Sequence, residues 1–297
     1  MSKKTVLFVA ALAVSVVATA QSVSFLNIPS DVRSAAMAHA DISLQAGAFA
    51  ADNNIAAAAF DYQTAAVGVN YFSWAPSGSG MGIINAGGYY RLGNLAIGLS
   101  GRICNEKPYD VISSVSKVIS TYQPREMALG AGFSYRIIAP LSVGVTLRYV
   151  SSNLAEQAQG SAFAADINAM FVSGGLRAAL GVTNLGTQIS YGGTNKYSLP
   201  AMARAGASYQ IAGLTASAEI DYMFSGALMA GLGVEYCIAD IAFVRGGFHY
   251  GDPSKAIPSY ASLGAGFKWA GFHVDLSFLM ASASLGNTLC VGLGYSF

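Results

Sequence analysis

The sequence predicts an all-β membrane protein: a fourteen-stranded antiparallel transmembrane β-barrel with a short helical or irregular plug at its N-terminus. Three observations predict it. Only 10% of the 297 residues are Asp, Glu, Lys or Arg, while 53% are apolar and Gly supplies 34 positions; ordinary soluble domains carry about 25% charged residues. Past the first twenty residues there is no apolar run of the length, about 18 residues or more, that a membrane helix needs. From Ala65 onward, instead, hydrophobicity alternates with period two in segments of about ten residues, the pattern of strands with one face in lipid and one in a lumen.

In chain order, residues 1–20 read as a secretory signal. Lys3 and Lys4 form a positive start, Val6 to Val17 an apolar stretch, and Ala18-Thr19-Ala20 a cleavage site. Residues 21–64 form the expected plug segment: Asp31 is placed to N-cap a short helix through Val32, Ala36, Met37 and Ala40, and an Ala-rich stretch follows from Gln45 to Phe60. Residues 65–297 form the expected barrel, with strands near 65–74, 82–91, 94–103, 126–136, 140–151, 161–172, 175–184, 199–211, 213–223, 226–237, 240–250, 258–269, 271–280 and 286–297. The connections alternate. Ala75–Met81, Cys104–Arg125, Ser152–Gly160, Leu185–Ser198, Gly251–Ile257 and Ala281–Leu285 are long, whereas the turns between them are tight, with Phe224-Ser225 as the exception. Outer-membrane barrels have short periplasmic turns and longer extracellular loops, so the pattern also orients the chain.

The two faces of each strand separate by polarity. Leu214, Ala216, Ala218, Ile220 and Tyr222 share one face opposite Thr215, Ser217, Glu219 and Asp221. The lumen set collects charges of both signs: Arg136, Arg148, Arg177, Arg204 and Arg245 with Asp166, Glu219, Asp221, Glu235 and Asp275. Unpaired charges in a narrow lumen are costly, so a mixed set predicts ion-paired filling rather than an open pore. Asp31 and Arg33 are the plug residues expected to anchor against those charges. Tyr71, Phe72, Trp74, Tyr89, Tyr90, Tyr135, Tyr149, Tyr209, Tyr222, Tyr250 and Trp269 lie near strand ends, where interfacial girdles belong. In the last strand Leu289, Val291, Leu293, Tyr295 and Phe297 share a face, and Tyr295 with Phe297 reads as a terminal signal for barrel insertion. Loop residues Tyr109, Val111, Ile112, Val118, Ile119 and Tyr122 are unusually apolar. They fit a loop folded over the barrel mouth or a contact for a partner or lipophilic ligand.

Several chemistries are not supported. Cys104, Cys237 and Cys290 form no disulfide framework or CxxC pair, and His39, His249 and His273 lack metal-ligand spacing, so no cofactor is expected. Ser114-Val115-Ser116-Lys117 matches S-x-x-K without its companion motifs, and nothing assembles a nucleophile, base and orienter. With a formal charge of +1 there is no electrostatic case for nucleic acid.

Four segments resemble the PorV/PorQ group of Bacteroidetes outer-membrane proteins, distant relatives of the FadL-type fatty-acid channels. Phe25 to Ser43 looks like the opening F-L-x-I-x-P-D-A-R-A-x-x-M-G motif, keeping Phe25, Leu26, Ile28, Asp31, Arg33 and Met37. Leu199 to Tyr209 is similar to L-P-x-x-x-R-x-G-x-x-Y through Leu199, Pro200, Arg204, Gly206 and Tyr209. Gly233 to Asp252 resembles the G-x-E-Y hairpin leading to R-x-G-[YF], and Leu285 to Phe297 the closing L-x-N-T-L segment. Ala35, Ala36 and Ala38 stand where the opening motif has glycines. The resemblance implies a non-catalytic barrel in the outer membrane of a Gram-negative bacterium. It also implies an accessory role in type IX secretion and surface attachment through docking of secretion-machinery proteins and secreted cargo. The alternative it implies is a channel for hydrophobic small molecules.

Overall fold

The computed structural model describes residues 22–74, 80–112, 118–252, 256–281 and 286–297. The expected signal at residues 1–20 and the S-x-x-K match lie outside the described residues. Fourteen strands close into an antiparallel barrel: β1 Ala65–Trp74, β2 Met81–Leu92, β3 Leu95–Asn105, β6 Arg125–Ile138, β7 Leu141–Ala155, β8 Ala158–Ser173, β9 Leu176–Gly186, β10 Met202–Ile211, β11 Leu214–Met223, β12 Ala227–Ile238, β13 Ala242–Gly251, β14 Tyr260–Trp269, β15 Phe272–Ala281 and β16 Thr288–Ser296. Each pairs with its neighbours along the chain, and β1 closes on β16 from Ala66 opposite Ser296 to Ser73 opposite Leu289. Closure satisfies every strand edge within the sheet, which a bilayer core without water demands.

The remaining pair, β4 Tyr109–Ile112 and β5 Val118–Tyr122, is a separate hairpin inside the long connection between β3 and β6. The sequence reading took Cys104–Arg125 as one loop. Tyr109 pairs there with Tyr122 and Val111 with Ser120, and Ile112 and Ile119 stand exposed on the hairpin. A second difference is the expected long loop at Ser152–Gly160. The β7–β8 ladder continues through Ser152 opposite Gly160 and Asn153 opposite Gln159, leaving two residues between the strands. Strand pairing outlasts the lipid-facing pattern there because backbone bonds do not need an apolar face. Strand β10 starts later than expected because Pro200 has no N–H to give to a ladder. Two tight turns, Ala212-Gly213 and Ala270-Gly271, have positive φ at both residues, the backbone that matches the twist of a hairpin.

Period-two sorting holds around the wall. Leu214, Ile220 and Tyr222 are exposed on the outer surface, while Thr215, Ser217, Glu219 and Asp221 are buried inside. Tyr71, Tyr90, Tyr135, Tyr209, Tyr222, Tyr250 and Trp269 face outward as a girdle would. Phe72, Trp74 and Tyr89 do not: they are 0%, 5% and 4% exposed and point into the lumen. The reason is parity, since Tyr71 and Tyr90 already occupy the lipid face of β1 and β2.

Residues 22–64 run down the inside of the barrel. A 3-10 turn (Ser24–Asn27) leads to α1 (Val32–Ala36), then α2 (Ala50–Asn53) and α3 (Ile55–Ala58). The Ala-rich stretch is broken at Asn54, whose side chain caps α3 by accepting from the Ala56 N–H at 3.0 Å. The wall makes room with glycine. A Cβ at Gly233 would lie 2.6 Å from the Met37 carbonyl oxygen, and one at Gly144 2.5 Å from Ile55 Cγ2. Small residues on both sides let the backbones approach closely, which accounts for much of the Gly and Ala in the composition.

The face assignment generates a test. Leu276→Arg, mid-strand on the lipid side, should destabilise the barrel by about 2–4 kcal/mol in folding titrations into lipid vesicles. Gln210→Arg, which opens on water at the lumen end, should stay within about 0.5 kcal/mol. Equal costs would put these strands one residue out of register.

Candidate functional site

The candidate site is the lumen, where wall charges meet the N-terminal segment. Period two aims Arg148, Asp166, Arg204, Glu219, Asp221, Glu235, Arg245 and Asp275 inward from β7, β8, β10, β11, β12, β13 and β15, and three clusters result.

In the first cluster, Arg33 grips Glu235 with Nη2 at 2.7 Å and Nε at 2.9 Å, and gives Nη1 to the Gln45 carbonyl at 3.2 Å. Glu235 also accepts from Arg245 Nε at 2.6 Å, and Arg245 reaches Asp275 at 2.5 Å. Burial works against the Arg33 charge, but the Glu235 carboxylate more than offsets it and raises the guanidinium above its ordinary value. Asp31 has a different partner set. Its Oδ1 caps α1 by accepting the Ser34 N–H at 2.7 Å, and its Oδ2 accepts from Asn53 Nδ2 at 2.5 Å, tying α1 to α2 rather than to the wall. Burial is the main cause that pushes this carboxyl up.

The second cluster surrounds Arg204, which contacts Asp41 and Glu219 at 2.5 Å and Asp221 at 3.4 Å. The other oxygen of Glu219 accepts the backbone N–H groups of Asp41 and Ile42 at 2.6 and 2.8 Å, so a wall carboxylate holds the segment's backbone and its acidic side chain holds a wall arginine. The third cluster places Arg148 between Asp166 at 2.9 Å and Asp52 at 3.3 Å. Asp166 also accepts the N–H of Asn184, which sits at φ 57 where the β8–β9 register shifts. Such a bulge re-aims a side chain, and Asn184 Oδ1 here accepts from Arg148 at 2.8 Å.

Arg102, Asp41 and Asp52 escaped the sequence reading. Arg102 donates to the carbonyls of Phe25 and Ile28 at 2.8 and 2.9 Å, holding the start of the segment without a carboxylate. Its place on the lumen face of β3 was readable from parity, since Ala96, Ser100 and Cys104 share that face. Uncharged wall side chains act in the same way: Ser142, Ser208 and Ser262 donate to the carbonyls of Ala56, Ser43 and Ala36 at 2.7–2.9 Å. Arg177 faces the lumen but pairs with no carboxylate among the described residues, and Arg136 lies at a turn, donating to the Ala139 carbonyl at 2.9 Å.

The two ends of the lumen differ. At the long-loop end Val23, Phe25 and Ile28 pack against Trp74, Ile83, Met202, Met229 and Tyr260 in one buried apolar cluster. At the short-turn end a cavity of about 670 Å³ opens between the segment and the wall, reached by Arg33, Asp61, Arg177, Arg245 and Lys268. His39 and His249 lie with ring centroids 6.1 Å apart, and burial pushes the His39 imidazole down. Among the described residues no three His, Cys, Asp or Glu side chains are arranged to hold a metal ion. The side chain of Phe297 is 62% exposed and lies edge-on to Tyr295 at 4.6 Å, and Tyr295 in turn lies edge-on to Phe272 at 4.7 Å, on the outer surface beside the β1–β16 seam.

Removing one partner from these clusters should cost unequally. Arg204→Met leaves three buried carboxylates unneutralised and should lower stability by about 3–5 kcal/mol in urea unfolding from vesicles. Arg33→Met should cost about 1–3 kcal/mol, because Arg33 is 27% exposed and Glu235 keeps Arg245. A reversed order would show that the β10–β11 cluster is not what holds the segment.

The family described as Type IX secretion system protein PorV matches residues 13–211 of this chain. Among solved structures, the chain is similar to the toluene transporter TbuX of Ralstonia pickettii, with a TM-score of 0.64 at 14% identity over 90% of this chain and 98% of that one. The toluene transporter TodX of Pseudomonas putida gives 0.65 at 13% over 89% and 97%. A FadL homologue of Pseudomonas aeruginosa gives 0.59 at 13% over 91% and 97%. At these identities the likeness is one of fold, and it extends over about nine-tenths of the chain. No curated protein sequence matches the chain.

Proposed function

The chain belongs to the PorV family of type IX secretion proteins, and we propose that it serves that machinery as an accessory outer-membrane barrel, acting by docking proteins rather than by conducting solutes. Barrels of this family and of the FadL-like fold lie in the outer membrane and are not enzymes. The observation that carries the proposal is the filled lumen. Phe25 is 0% exposed in the apolar cluster at the extracellular end, and below it the segment is bound to the wall through Arg33, Asp41 and Asp52. A conductor needs a continuous path, whereas a docking barrel needs a rigid frame for its rim. In this reading Arg33 anchors a plug to the wall while Asp31 ties its first two helices together, the lumen charges lock it, and Tyr295 with Phe297 marks the strand for insertion.

A second reading draws on the apolar cluster itself. A hydrophobic small molecule could replace Phe25 and its neighbours if the segment moved, as passage through a barrel of the FadL type would require. The two readings separate in paired assays on purified protein. Docking predicts capture of the C-terminal domains of secreted cargo with no solute flux in liposomes; flux without capture would overturn it. Deleting residues 22–60 should leave a barrel that still inserts and now conducts ions in planar bilayers. If the intact protein conducts at the same level, the segment is not a plug.

A further inference from the structure

The arginines that wall the lumen are saturated with one exception. Arg148, Arg204 and Arg245 each hold at least two carboxylates, and Arg102 holds two backbone carbonyls. Arg177, near the periplasmic end of β9, has neither. Its Nη1 is buried with no hydrogen-bond partner, and no ion pair reaches the residue among the described residues. A guanidinium nitrogen removed from water and given no acceptor in return is costly, so such an atom marks a missing partner.

Its surroundings say what kind of partner. Arg177 lines the cavity of about 670 Å³ that opens at the short-turn end. The neighbouring charges that act on it most are Arg33, of the same sign, and then Asp61. Asp61 is already engaged, accepting from Tyr89 Oη at 2.6 Å and Gln45 Nε2 at 3.0 Å. Across the cavity Arg245 holds Glu235 and Asp275, and Lys268 donates to Tyr62 Oη at 3.1 Å. Asp31, Asp41 and Asp240 also line the cavity, so it is not positive throughout, and Arg177 is the one guanidinium in it with neither a carboxylate nor a carbonyl partner among the described residues. We propose that this vestibule is a binding site for an oxyanion group, a carboxylate or a phosphate presented from the periplasm, seated on Arg177, whose charge no carboxylate contacts among the described residues. A planar guanidinium takes such a group through two parallel bonds. The cavity far exceeds the ~30 Å³ share of a single water, so it has room for the body of a larger molecule that bears the group.

The test uses the full chain in lipid nanodiscs and follows thermal unfolding while sodium acetate or sodium phosphate is titrated in, with sodium chloride at matched ionic strength as reference. A ligand that binds only the folded state raises the midpoint saturably. At least one oxyanion should do so beyond chloride, and whether acetate or phosphate does it distinguishes a carboxylate from a phosphate ligand. Arg177→Gln should weaken the apparent affinity about tenfold or more. Arg177→Lys should fall between, keeping the charge and losing the fork. Arg91→Gln, at the same end but bonded to the Gly93 carbonyl, should leave it unchanged. Equal stabilisation by chloride, or a response of Arg177→Gln equal to that of the unaltered protein, would overturn the proposal. The outcome is independent of whether the barrel docks cargo.

Discussion

Desolvation of the wall arginines is the constraint on which the rest of the structure depends. A barrel that closes in lipid must satisfy its own backbone, and its outer face must be apolar, so the charge of its membrane-crossing strands is driven into the lumen. There the wall alone does not neutralise itself in the right places. Arg148 takes Asp166 from its neighbouring strand and Asp52 from the segment; Arg204 takes Glu219 and Asp221 from β11 and Asp41 from the segment. The exchange is reciprocal at Glu235, which uses Arg33 as well as Arg245. Wall and segment are thus electrostatic halves of one core, and removing one partner leaves an uncompensated charge in the other.

Most of this was legible because strand parity is a strict rule. Once β11 was placed, Glu219 and Asp221 had to face inward and Leu214 and Ile220 outward, and Glu235, Arg245 and Asp275 followed from their own strands. What was not legible came from contacts that parity does not encode. Asp41 and Asp52 lie in a segment without regular period, so their partners depend on how that segment threads the lumen. Arg102 holds carbonyls, and no charge pattern announces a carbonyl partner. The β4–β5 hairpin was hidden because its pairing lies beyond the membrane, where the lipid-facing signal that identified the other strands is absent. Phe72, Trp74 and Tyr89 depart from the girdle for the opposite reason: lying near a strand end favours the interface, but parity puts these three side chains inside.

The lumen is also graded along its axis, and the grading follows from the order of residues in the segment. Its first described residues, Val23, Phe25 and Ile28, are apolar and fill the long-loop end, where Met202, Met229 and Tyr260 line the wall. Its middle carries Arg33, Asp41 and Asp52 into the charged belt. Its last residues, Asp61 to Gln63, reach the short-turn end, where the wall offers Arg177, Lys268 and His273 and the packing opens into a cavity. An apolar seal at one end and a polar chamber at the other make the two ends respond to different things. The long-loop end is held by exclusion of water, while the short-turn end is held by charge and is open to charged solutes. At the short-turn end Arg33 and its shared carboxylate Glu235 join the cavity wall at Arg245 to helix α1 and, through Asp31 and Asn53, to helix α2, so one chain of charge-assisted bonds couples the cavity to both helices.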